Sequence, residues 1–340
     1  MSKAHNQLFI PSDWKQWIAE NIARNSSPTD LQKKLEDAGF DADLSRAELE
    51  TASRHPYMEA ARSLVRQLAK RDWLLHTHRK LRESVAPYVI ERRSRISSSE
   101  FLQHYYSENR PVILTNCFDH WNAMKLWNRQ YLMTKGADLQ VEIQENRTGN
   151  ARFEQEPDQH RQRVRFSDFI EKCFDETPTN DIYMTARNGQ ANTAILELLG
   201  EDLGDIPDYL DGARSSQSYF LWIGPPGTTT PLHHDMTNNF MAQIVGQKRV
   251  RLIAPDFHPY LYNNFHCYSA VDLDSPDIER FPLFQRIRIH DMIIGPGDLL
   301  FLPIGWWHHV QGMSTSITLT CTNFKWPNDF GEEYTTFQGI

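Results

Sequence analysis

The run Pro231-Leu232-His233-His234-Asp235 sets a histidine and an aspartate two residues apart in a stretch that reads as a strand, and Trp306-Trp307-His308-His309 follows much later. In an extended strand, residues i and i+2 point to the same side, so His233 and Asp235 can reach one metal ion while His234 points away. A third ligand must then come from another strand. Gly295-Pro296-Gly297-Asp298 followed by Leu299-Leu300-Phe301-Leu302-Pro303 reads as a turn and an apolar strand that delivers His308. Two histidines and one carboxylate on one face of an ion are the donor set of non-haem Fe(II) sites, which leaves the opposite positions open to substrates. Both histidines stand in doublets, so His234 or His309 could also be the ligand. The period of two excludes His234 if Asp235 binds.

The rest of the chain changes texture between residues 81 and 88. Before it the sequence is helical. Ser12-Asp13 can cap a helix carrying Trp14, Trp17, Ile18 and Ile22, and Ser27-Pro28-Thr29-Asp30 opens a second that Gly39 stops. A third spans residues 43–54, and Pro56 opens a long amphipathic helix through Leu64, Leu68 and Leu75. We expect a helical domain over residues 1–85 that braces the remainder, mediates a homodimer or binds a partner. After it come short strands with turn signals such as Asn109-Arg110-Pro111 and Gly224-Pro225-Pro226-Gly227. A mainly β barrel with peripheral helices is expected over residues 86–330, with a C-terminal tail over 331–340. Residues 146–163 are polar without a clear period and read as a mobile loop near the barrel mouth.

The residues around the candidate ligands sharpen this. Thr230, Pro231, His233, Asp235, Asn239, Gln243, Gly246, Lys248 and Arg249 form one motif, and Pro296-Gly297-Asp298, Leu300, Pro303 and Trp306-Trp307-His308 form a second. With the pair Asn323-Phe324, they make residues 88–326 resemble the JmjC branch of the cupin superfamily, the Fe(II)- and 2-oxoglutarate-dependent oxygenases. The likeness is greatest to its protein hydroxylases, such as the asparaginyl hydroxylase of hypoxia-inducible factor and the JmjC arginyl hydroxylases. The resemblance implies a double-stranded β-helix, the jelly-roll of cupins. It implies His233, Asp235 and His308 as iron ligands, with Lys248 on the distal carboxylate of 2-oxoglutarate, Thr230 and Tyr183 as its hydroxyl partners, and Asn239 and Asn323 lining that pocket. Trp222, Trp307 and His309 are candidates for the substrate pocket. A lysine ammonium suits a carboxylate at the end of a narrow pocket, where neutral hydroxyls and amides complete the hydrogen bonding.

Composition bounds the function. The 340 residues carry a formal charge of −8, which disfavours general nucleic-acid binding and suits a basic peptide somewhat better. No apolar run approaches membrane length, and no secretory leader is recognisable at the start of the chain. The four cysteines lie far apart with no Cys-x-x-Cys spacing, consistent with free thiols in a reducing, cytoplasmic setting. The expected reaction consumes O2 and 2-oxoglutarate and hydroxylates an amino-acid side chain in a protein or peptide, with succinate and CO2 as co-products. The alternatives are a small-molecule or biosynthetic peptide substrate, N-methyl-lysine demethylation, and a non-catalytic cupin scaffold.

Overall fold

The structure, a computed structural model, describes residues 9–84, 89–204, 207–212, 219–263 and 265–334. Residues 85–88 of the expected boundary (Tyr88 among them) and 335–340 of the expected tail lie outside the described residues. The chain divides into two compact units, Met1–Ala86 and Pro87–Ile340.

The first unit is helical: α1 (Ser12–Ala23), α2 (Pro28–Asp37), α3 (Ala42–Arg54) and α4 (Pro56–Glu83). Ser27 caps α2, and Asp41 caps α3 by accepting from the Asp43 and Leu44 amides at 2.9 and 3.0 Å. The first helix departs from expectation, because Ser12 already lies inside it and Pro11 flanks it without a side-chain cap. Ile18, Ile22, Leu31, Leu35, Leu49 and Met58 form the core. Leu64 and Leu68, on the apolar face of the amphipathic helix expected at α4, are exposed. The 28 residues of α4 extend roughly 42 Å at 1.5 Å per residue, whereas α2 and α3 have 10 and 13. Neighbours of that length cover only its first turns, where Met58 is buried and Ala61 and Val65 pack against the core.

The second unit is a two-sheet jelly-roll with short helices α5 (Ser98–Phe101), α6 (Ala123–Leu126), α7 (Arg129–Lys135), α8 (Phe166–Cys173) and α9 (Thr193–Gly200). Its strands are β1 (Glu91–Ser94), β2 (Val112–Thr115), β3 (Gln140–Gln144), β4 (Arg161–Arg165), β5 (Tyr219–Gly224) and β6 (Thr229–His234). They continue as β7 (Asn239–Val245), β8 (Lys248–Ile253), β9 (His290–Ile294), β10 (Leu299–Leu302), β11 (Trp307–Gly312) and β12 (Ser316–Cys321). One sheet runs β1-β2-β10-β7-β12-β5 and the other β6-β11-β8-β9, while β3 and β4 pair separately. Only β1 and β2 pair in parallel within these sheets.

Period-two alternation builds two cores. Val112, Leu114, Phe240, Ala242, Leu299, Phe301, Ile317 and Leu319 share a cluster with Phe166, Phe169, Ile170, Ile195 and Leu199 of the helices. The intervening Ile113, Met241, Leu300 and Leu302 instead join Val250, Leu252 and Val310 of the second sheet. That second cluster extends to Phe257, Leu261, Val271, Leu273 and Phe284, which cover the four-stranded sheet from residues 255–289.

The segment expected as a mobile loop is ordered differently. Residues 161–165 are β4, antiparallel to β3, and Arg147 is one of the largest fully buried side chains. Its guanidinium donates to Glu154 at 2.9 Å, Asn180 Oδ1 at 3.1 Å and the Thr229 carbonyl at 2.9 Å. Polar composition there reflects a satisfied internal network, which periodicity cannot reveal.

Candidate metal centre and co-substrate pocket

Strands β6 and β11 are antiparallel neighbours, with His308 opposite His233. This register brings the two halves of the motif together. His233 Nε2 lies 3.8 Å from Asp235 Oδ1, His308 Nε2 lies 3.9 Å from Asp235 Oδ2, and the two imidazole centroids are 4.0 Å apart. Potential donor atoms of the three residues fall within 4.8 Å of one another.

The donor set suits a divalent transition metal. His233 Nδ1 bonds the Pro231 carbonyl at 2.8 Å, and His308 Nδ1 bonds the Trp306 carbonyl at 3.0 Å. Each ring donates from Nδ1, so each Nε2 keeps its lone pair toward the common point. Burial, with His233 alongside, pushes His308 down to about 3, which keeps that imidazole neutral and available as a ligand. Asn239 Nδ2 approaches Asp235 Oδ2 at 3.5 Å and helps orient the carboxylate. His234 turns the other way, edge-on to Trp307 at 4.8 Å.

Thr230 and His233 are three residues apart, a spacing that simple alternation would send to opposite faces. The β6–β11 register shifts here: Thr230 pairs with Val310 while His233 pairs with His308. Two residues of β6, Pro231 and Leu232, thus oppose the single His309 of β11, which is a bulge. Because of it, both Thr230 and His233 line the same cavity.

That cavity, about 380 Å³, runs from the triad to Lys248. The turn Gly246-Gln247 joins β7 to β8 and puts Lys248 at the first position of β8. Lys248 is buried, and its Nζ donates to Tyr183 Oη at 3.1 Å. Tyr183 in turn bonds Thr230, and the Trp222 ring lies 6.0 Å from Nζ. Burial pushes the lysine down to about 7. Among the described residues no carboxylate pairs with it, and the buried Asn239 Oδ1 accepts no hydrogen bond. An ammonium in a closed pocket with one hydroxyl partner fits an anionic guest.

The outer end of the cavity was not legible from the motifs. Glu154, Arg187, His266, Cys267 and Tyr268 line it. Residue 268 bridges to His233 on the edge of β6, and the Tyr268 ring stacks 5.9 Å from that imidazole. Tyr268 Oη donates to the Glu154 carbonyl at 3.1 Å and accepts from Arg187 Nη2 at 2.5 Å. These residues come from three separate segments, Arg187 from a 3-10 turn over Ala186–Asn188, so neither spacing nor alternation in the sequence announces them.

Three expected pocket residues do not reach the cavity. Trp307 and His309 flank His308 on β11 and therefore face the opposite side of the sheet. Trp307 is core, and His309 is held by Arg251 at 3.0 Å and lies 3.3 Å from Asp274. Asn323 lies beyond the end of β12 and gives its amide to the Asp211 carbonyl at 2.8 Å, while Thr320 and Thr322 line the cavity. Trp222 does line it, but at the Lys248 end, with Nε1 on Thr320 Oγ1 at 3.0 Å. It walls the Lys248 end of the cavity, not the outer end lined by Arg187 and Tyr268. Trp306 is structural as well, donating to the Asn109 carbonyl at 2.9 Å.

A jelly-roll with two histidines facing each other on neighbouring strands and a carboxylate just past the end of one of them is the arrangement of a metal-binding cupin. The profile of the cupin-like domain matches residues 98–330, and the chain belongs to that family in its JmjC branch. JmjC proteins generally use Fe(II) and 2-oxoglutarate. The chain is 32% identical over 250 residues to the lysine-specific demethylase JMJ30 of Arabidopsis thaliana, covering 71% of this chain and 55% of that protein. It is 30% identical over 233 residues to lysine-specific demethylase 8 of Xenopus tropicalis, covering 66% and 50%. Against the human tRNA wybutosine-synthesizing protein 5 it is 27% identical over 248 residues, covering 65% and 73%. The chain thus spans about half the length of the two demethylases.

Proposed function

We propose that this chain is an Fe(II)- and 2-oxoglutarate-dependent dioxygenase that hydroxylates an amino-acid side chain in a protein or peptide. The observation that carries this reading is Lys248, buried at the closed end of a cavity that also opens on the His233, Asp235 and His308 donor atoms. A binding scaffold would gain nothing from a buried ammonium lacking a carboxylate partner.

His233, Asp235 and His308 would hold the iron by one face. Lys248, Tyr183 and Thr230 would take the distal carboxylate of 2-oxoglutarate, and Asn239 would contribute its amide beside Asp235. When bound, iron with 2-oxoglutarate and O2 supplies the oxidising chemistry, in which the co-substrate loses CO2 and becomes succinate while one oxygen atom enters a substrate C–H bond. Met241, Leu302 and Val310 line the cavity with apolar surface, which excludes water and strengthens the Lys248 contact. Tyr268 screens one face of His233, leaving approach to the ion from the mouth.

A side chain of a protein is favoured because two relatives bear names that place their action on lysine. Those names also favour N-methyl-lysine demethylation as the second reading. The tRNA-directed relative raises a third, against which the formal charge of −8 counts. The test is anaerobic loading with Fe(II), then succinate release from 2-oxoglutarate in air, followed by a mass-spectrometric search of treated protein extracts for one added oxygen atom. Absence of succinate release both with and without extract would sink the oxygenase reading. Formaldehyde release from methylated peptides would select the second.

A further inference from the structure

The cavity carries a cation at each end. Lys248 occupies the closed end, and Arg187 occupies the mouth with 41% of its side chain exposed. The carboxylate that faces it is shared with a second arginine. The Glu154 carboxylate serves two arginines, through Oε1 to the buried Arg147 at 2.9 Å and through Oε2 to Arg187 Nε at a looser 3.6 Å. Asp181 also acts on Arg147 but does not line the cavity, and the remaining cavity carboxylate, Asp235, belongs to the metal set. The other contact of Arg187, Tyr268, offers a phenol oxygen and no carboxylate.

The guanidinium is also aimed. Tyr268 takes Nη2 and Glu154 faces Nε, which fixes the plane of the fork and leaves Nη1 with no protein partner among the contacts of the described residues. A guanidinium immobilised on two sides is a preorganised receptor for a carboxylate. We propose that Arg187 is the specificity-determining residue of the substrate mouth and docks a carboxylate of an acidic peptide, an Asp or Glu side chain, while the metal face addresses a carbon beside it. A polyanion would call for several cations in a row, whereas the mouth lining offers a single guanidinium. The choice therefore falls on one carboxylate in place of a phosphate backbone. This differs from the expectation drawn from the overall charge, because an aimed guanidinium at the mouth, not the net charge, would choose the docked group. The inference rests on the oxygenase reading only for what happens after docking, since docking itself needs no turnover.

The test measures binding and stimulation side by side. Fluorescently labelled heptapeptide pools with a central Asp, Glu, Asn, Gln, Lys or Arg, and a mixed oligoribonucleotide, are titrated by anisotropy against the full chain. The same pools are assayed for succinate release with Fe(II) and 2-oxoglutarate, each rate divided by that protein's own unstimulated rate. The Asp and Glu pools should bind about tenfold or more tightly than their amide counterparts. Arg187→Gln should erase that ratio, Arg187→Glu should shift preference to the Lys and Arg pools, and Arg187→Lys should keep part of the acid preference. A purely structural role would lower all pools together and leave the ratio unchanged. Equal binding of acid and amide pools by the parent protein, survival of the ratio in Arg187→Gln, binding of the oligoribonucleotide alone, or no binding at all would each overturn the proposal. Absence of succinate release both with and without peptide or extract, alongside an intact acid preference, would overturn the oxygenase reading and leave this one standing.

Discussion

Lys248 must carry a charge in a place that opposes charge. Burial lowers it to about 7, and the ammonium is the form that grips a carboxylate. Affinity for 2-oxoglutarate should therefore be level below about pH 6 and weaken about tenfold per unit once pH passes above 7. Calorimetric titration of metal-loaded protein across pH 6–9 checks this, and a flat profile would remove Lys248 from the co-substrate site. The sign for folding is the opposite. Between about 7 and 10.5 the unfolded chain binds more protons at this position than the folded one, so the ligand-free protein should gain stability as pH rises through that window. Lys248→Ala should raise the 2-oxoglutarate requirement roughly ten- to hundredfold, the loss expected for a charge-assisted contact of about 1.5–3 kcal/mol. Asp235→Ala should abolish Fe(II) retention after gel filtration while leaving the thermal melting of the ligand-free protein nearly unchanged. These residues were legible from sequence because type, spacing and strand context coincide. Trp307 and His309 were misplaced by proximity to His308, although alternation already sends both neighbours of a strand residue to the far face. Arg187 and Glu154 were not legible, because segments from distant parts of the chain meet only in the folded molecule.

At the scale of elements, two local irregularities place the pocket. The bulge in β6 lets Thr230 and His233 share a side, and the Gly246 turn starts β8 on Lys248. Gly246 has φ +69°, and a Cβ there would stand 1.9 Å from the Thr315 carbonyl oxygen. Gly246→Ala should cost about 2 kcal/mol or more of stability, from a left-handed backbone and a backbone clash that no side-chain rotation relieves. Denaturant unfolding measures it, and a midpoint equal to that of the parent would show that the turn relaxes freely. The strands were readable as strands, but a bulge depends on the partner's register and leaves no period of its own. The long helix shows the converse. A regular apolar spacing marks an amphipathic face on α4, and Leu64 and Leu68 on that face are exposed, because spacing specifies a face and not what lies against it.

At the scale of the whole molecule, every residue assigned to the metal, the co-substrate and the mouth belongs to the unit Pro87–Ile340, and each unit has a buried core of its own. A chain beginning at Pro87 should therefore bind Fe(II) with an affinity within about threefold of the full protein, measured by competition with a coloured chelator; loss of binding would show that the helical unit completes the site. No helix among the described residues is long and apolar enough to cross a membrane. The two imidazole–carbonyl bonds at His233 and His308 have one further consequence. Rings locked before any ion arrives cannot adapt to favour iron, and an N2O donor set of this kind follows the ordinary affinity order, in which nickel, copper and zinc outcompete Fe(II). Which ion the protein would carry then depends on the ions it meets, so cellular supply and handling after lysis would act as the selectivity filter.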